Sequence, residues 1–146
     1  MGAWGTGPFD NDTAADFGGD LDEAAREERE PMIRSVLVRA ASLADFLGIY
    51  DGERAVAAAA LVVAQLPDGE SACLNYGPSE PVPELPADLR VLAVDALDQV
   101  VSDRSELVEQ WAEAANWPKW RQEITHLHDL LDPPVPPQEE ALFEIY

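Results

Sequence analysis

The chain has 146 residues, 29 of them Asp or Glu against 9 Lys or Arg, and a formal net charge of -20. Such a surface repels phosphate backbones and anionic lipid, which argues against direct nucleic-acid or membrane-surface binding and favours basic partners. Nearly half of the residues, 47%, are apolar, enough for a packed core and too many for a disordered polymer.

Residues 1–11 read as an irregular arm, with Trp4 and Phe9 as aromatic anchors. A first helix is expected over 12–28. Asp10, Asn11, Asp12 and Thr13 compete for its N-cap, and Thr13 with Asp16 resembles a capping box. Ala14, Phe17, Leu21 and Ala24 recur at three- and four-residue spacing and give one apolar face. Gly18-Gly19 weakens this helix by roughly 1 kcal/mol per glycine relative to alanine.

Pro31 fits the first turn of a second helix over 31–47, whose stripe is Ile33, Val36, Leu37, Ala40, Ala41 and Leu47. Asp51-Gly52-Glu53 opens a third helix running to Leu66. Its "AVAAAALVVAQL" is apolar nearly all round, so it is expected at the centre of the fold. It is too short for the ~20 apolar residues that a membrane span needs.

Residues 67–86 are rich in Pro, Gly and Ser and read as a long loop. A helix over 87–102 follows, then one over 105–115 with Leu107, Val108, Trp111 and Ala115 inward. Pro118 in "NWPKW" breaks the chain before a sixth helix that ends near Leu131. Trp120, Ile124, Leu127 and Leu131 line its inner face. Residues 132–146 form a Pro-rich tail. No segment alternates at period two and no internal repeat is visible. The expected fold is all-α: a single compact domain of five or six helices over 1–131, with the arm packed on it.

Three blocks, "MGAWGTGPFDNDTAADF", "YDGERAVAAAALVVAQL" and "SELVEQWAEA", together resemble the bacterial domain of unknown function 4259 family, over about residues 1–131. The chain departs from the family pattern at Phe17-Gly18-Gly19, where a Trp and better helix formers are usual. The resemblance implies a small bacterial, mainly helical protein. It brings no catalytic residues with it.

No motif for chemistry stands out. A nucleophile elbow, a phosphate-cradling loop and a dinucleotide fingerprint are all missing. "MGAWGT" meets the short myristoylation pattern, but the acidic neighbourhood opposes membrane attachment. Asp10, Asp12, Asp16 and Asp20 offer oxygen ligands to a hard cation, yet on a helix they form a convex ridge. His126 and His128 stand about 200° apart around a helix and cannot share a metal. Cys73 is the lone cysteine, so no intrachain disulfide forms and a reducing compartment suits the chain. The N-terminus shows neither the basic region nor the apolar run of a signal peptide.

The leading expectation is a non-catalytic cytoplasmic interaction protein with neither metal nor cofactor. Its acidic faces, above all residues 10–30, would meet a basic protein, as an inhibitor or immunity-type partner does. Trp4, Phe9, Asn11, Asp12 and Asp16 are the candidate interaction or structural arm. The alternatives are a divalent-metal hydrolase using Asp10, Asp12 and Asp16, and a homo-oligomeric structural protein.

Overall fold

The computed structural model describes residues 11–42, 46–64, 86–112, 114–115 and 117–132. Six helices account for most of them: α1 Asp12–Glu23, α2 Arg26–Ser42, α3 Ile49–Val63, α4 Asp88–Val100, α5 Glu106–Ala112 and α6 Trp117–Leu131. The described residues contain no strand; one isolated parallel bridge joins Leu47 to Ser105. The all-α expectation holds. Trp4, Phe9, Asp10 and Cys73 lie outside the described residues, as do the loop before Pro86 and the tail beyond Asp132.

α3 is the axis. From Ala55 to Val63 every residue is buried, and α3 touches each of the other five helices. Its alanines keep the helix thin, so five neighbours can reach it. α2 and α4 pack on it and on each other, while α5 and α6 close the far side. The inner stripes of α2, α4 and α6 follow the apolar spacing: Ile33, Leu37 and Ala40; Leu89, Ala93, Ala96, Leu97 and Val100; Trp120, Ile124, Leu127 and Leu131.

The first two helices divide differently from the expectation. α1 stops at Glu23, where Ala24 turns extended (φ -79°, ψ 152°), and α2 begins at Arg26 rather than Pro31. The cause is Arg29, a side chain only 9% exposed that folds back across the break. Its guanidinium donates to the Ala24 carbonyl at 3.2 Å and to the Asp22 carbonyl at 3.4 Å, closing the end of α1. Glu27 and Glu28 then occupy the first turn of α2, where the helix dipole favours acids. Pro31 comes to lie inside the helix, and the backbone bond it cannot make is offset by these contacts and by the Glu30–Arg34 pair at 2.7 Å.

Three further boundaries shift. Leu47 is buried but not helical: its N–H donates to the Arg104 carbonyl and its own carbonyl accepts the Glu106 N–H, both at 2.9 Å. These bonds staple the α2–α3 connection to the α4–α5 connection. α3 starts at Ile49, two residues before Asp51, because the Glu106 carboxylate accepts the Ile49 N–H at 2.9 Å. α5 ends at Ala112, leaving Ala115 exposed rather than inward. Turn bonds from the Ala114 N–H to the Trp111 carbonyl and from the Trp117 N–H to the Ala114 carbonyl lead into α6. Pro118 is the second residue of α6, where a missing N–H costs nothing.

Candidate functional site

The acids singled out in the sequence converge on α1. Asn11 is its N-cap: the side-chain oxygen accepts the Ala14 N–H at 2.7 Å. This settles the competition in favour of Asn11 and removes Thr13 from the capping role. Inward, α1 presents Ala14, Phe17, Gly18 and Leu21. Outward, Asp12, Asp16 and Asp20 form a ridge at four-residue spacing, all three exposed. Glu23, Glu27 and Glu28, also exposed, extend the acidic surface across the break into α2.

Little in α1 accounts for the acids at its C-terminal end. Asp20, Asp22 and Glu23 sit at the negative pole of the helix dipole, and its last turn holds no basic residue. Each such acid costs a helix about 0.3–1 kcal/mol at low salt. Arg29 reaches the end of α1 from α2, and five further bases are engaged elsewhere. Arg34 grips Glu30 and, bidentately, Asp88 at the head of α4. Arg39 and Arg54 flank Asp51 at 3.0 and 3.5 Å. Arg90 donates to the Leu131 carbonyl at the end of α6, and Arg121 lies 5.7 Å over the Trp117 ring. Among the described residues, no ion pair neutralises Asp12, Asp16 or Asp20.

Behind the ridge lies a residue that the sequence reading missed. Glu53 on α3 is 8% exposed, and the Thr13 hydroxyl of α1 donates to its carboxylate. Burial pushes the Glu53 carboxyl above its ordinary pKa of 4.5, and the negative Asp12 pushes the same way; Thr13 and Arg54 oppose them. The sequence did hold a signal. Glu53 stands at the head of a helix that is apolar all round, so any side chain it carries there is a candidate for burial.

The remaining candidates separate. Among the described residues, no group of three His, Cys, Asp or Glu side chains is placed to hold a metal ion. His128 pairs with Asp98 of α4 at 3.1 Å, and His126 is exposed two residues away. Trp111 and Trp120 are buried and stacked at 5.9 Å, and Trp117 continues the stack at 5.6 Å from Trp120. Trp111 and Trp120 are core, and Trp117 is half-buried against them. No described helix is long and apolar enough to cross a membrane.

The family model described as a Domain of unknown function (DUF4259) matches residues 2–123, from before α1 to within α6. No curated protein and no solved structure matches the chain.

Proposed function

The chain belongs to the DUF4259 family, and from that premise we propose that it is a non-catalytic interaction protein whose acidic α1 face binds a basic protein. The observation that carries this reading is the outward ridge of Asp12, Asp16 and Asp20, exposed and without ion pairs among the described residues. The acidic surface continues to Glu23 at the helix terminus and past it onto Glu27 and Glu28, also exposed. An inhibitor of a basic effector is one concrete form, and a bacterial cytoplasm suits a chain with one cysteine.

Opposite charge across an interface speeds encounter and is screened by salt. The test is capture from a bacterial lysate on the immobilised chain at graded salt, beside a variant with Asp12→Asn, Asp16→Asn and Asp20→Asn. A basic protein retained at low salt, released as salt rises and lost in the variant supports the reading. No retained protein, or one indifferent to both salt and the substitutions, refutes it.

A further inference from the structure

Four large apolar side chains are exposed among the described residues: Val38, Phe46, Tyr50 and Val91. The two aromatic ones, Phe46 at 52% and Tyr50 at 63%, flank the entry of the chain into α3. The staple beside them explains the first. Leu47 bonds to the Arg104 carbonyl and the Glu106 N–H and buries its side chain, and in an extended segment successive side chains point opposite ways, so Phe46 faces outward. Tyr50 begins a ridge of α3 that Arg54 continues one turn on. Next to Tyr50, Asp51 draws in Arg39 of α2 at 3.0 Å and Arg54 at 3.5 Å, and both arginine side chains stay exposed, at 68% and 44%. Two exposed rings and two exposed guanidiniums thus share one corner. We propose that this corner is a self-association surface, covered by the same corner of a second copy of the chain.

The chemistry of the corner selects that occupant. Aromatic residues and arginine are the side chains enriched at the buried centre of interfaces. A guanidinium binds the face of an aromatic ring, and the corner carries both partners of that contact. A two-fold axis sets the corner against its own copy, so that Arg39 and Arg54 of one copy meet Phe46 and Tyr50 of the other, and the reverse. The acids nearby do not oppose this, because Asp51 is held between the two guanidiniums and the Glu106 carboxylate by the Ile49 N–H. A basic protein would meet two like charges here. The net charge of -20 pushes two copies apart at long range, and salt screens that push. Contacts at the desolvated centre are screened much less. Self-association therefore strengthens with salt, opposite in sign to the capture of a basic protein by the α1 ridge, so the failure of one leaves the other standing.

Sedimentation equilibrium of the full chain tests it at ~0.05 M and ~0.5 M sodium chloride. Protein concentration should run from about 10 µM to about 1 mM, because so small a surface holds a weak dimer. The mass should rise toward that of a dimer, and the dissociation constant should fall several-fold or more at the higher salt. Phe46→Ser with Tyr50→Ser should abolish the rise. Both side chains are exposed, so far-ultraviolet circular dichroism should show the helices intact. Arg39→Gln with Arg54→Gln, compared at the higher salt where the altered net charge matters least, should weaken the dimer by about tenfold. A chain that stays monomeric throughout overturns the proposal. So does a dimer that weakens with salt, one that either double variant leaves unchanged, or growth beyond the dimer, because a two-fold contact closes on itself.

Discussion

The Glu106 carboxylate accepts the Ile49 N–H at 2.9 Å, so a residue at the head of α5 caps the start of α3, 57 positions earlier in the chain. Gly48, at the N-cap of α3, has no side chain to do this itself. Glu106→Ala should therefore cost about 1 kcal/mol, the usual worth of an N-cap. Glu106→Gln keeps an acceptor oxygen and should recover part of it. Urea denaturation of the three proteins measures both.

Gly52 is small for a reason found on α5. A Cβ at that position would sit 2.8 Å from Cδ1 and 3.3 Å from Cγ of Leu107, which is itself buried. Gly52→Ala gains about 1 kcal/mol of helix propensity but incurs an overpacking cost of about 1–3 kcal/mol. A net loss of about 1 kcal/mol is expected by denaturant titration, because the buried Leu107 can shift only by giving up part of its packing.

Gly19 presents the opposite case. It is exposed on α1, and a Cβ there meets nothing within 4 Å. Gly19→Ala should stabilise the protein by about 0.5–1 kcal/mol through helix propensity alone. A calorimetric melting temperature that falls instead would show that α1 needs its glycine for something other than space.

Arg29 joins two helices that the backbone separates. Losing its hydrogen bonds to the Ala24 and Asp22 carbonyls leaves the end of α1 uncapped. Arg29→Met keeps most of the packing of the stem and should still cost about 1.5–3 kcal/mol, the range for hydrogen bonds to a charged group. Circular dichroism during denaturation would follow the loss.

Asp88 and Glu53 set opposite pH limbs. The Arg34 guanidinium holds the Asp88 carboxyl below its ordinary 3.8, so its contribution is present above that value and disappears as pH falls through the folded one. Glu53 is raised, so its contribution is lost as pH climbs. Asp88→Asn should flatten the acid limb of a melting-temperature profile and leave the upper limb alone. Both groups of the Asp88–Arg34 pair face water, so added salt should shrink the acid-limb effect.

The parts of the fold that were legible in sequence are those decided by local spacing. Leu127 and Leu131 repeat the four-residue step begun at Trp120 and Ile124, and α6 runs as that spacing predicts. The alanine run of α3 announces a buried axis. Boundaries set by distant side chains were not legible. Pro31 marks a helix start by local preference, but Arg29 reaches back to Ala24 and moves the start to Arg26. Ile49 is helical because of Glu106, which no window around residue 49 contains. At the candidate site, the exposed acids of α1 followed from their spacing and Asn11 was among the proposed caps. Glu53 was passed over because its burial depends on where α1 lies.

Three of the four tryptophans, Trp111, Trp120 and Trp117, form one stack at the α5–α6 junction. Indoles this close share excitation energy and give a strong near-ultraviolet dichroic signal. The stack therefore serves as a built-in optical gauge of that one corner. Movement of α1, whose residues include no tryptophan, would leave its signal largely unchanged. A loss of the stack's near-ultraviolet dichroism thus reports α5 and α6 coming apart, and a probe placed on α1 can be read beside it as a separate event.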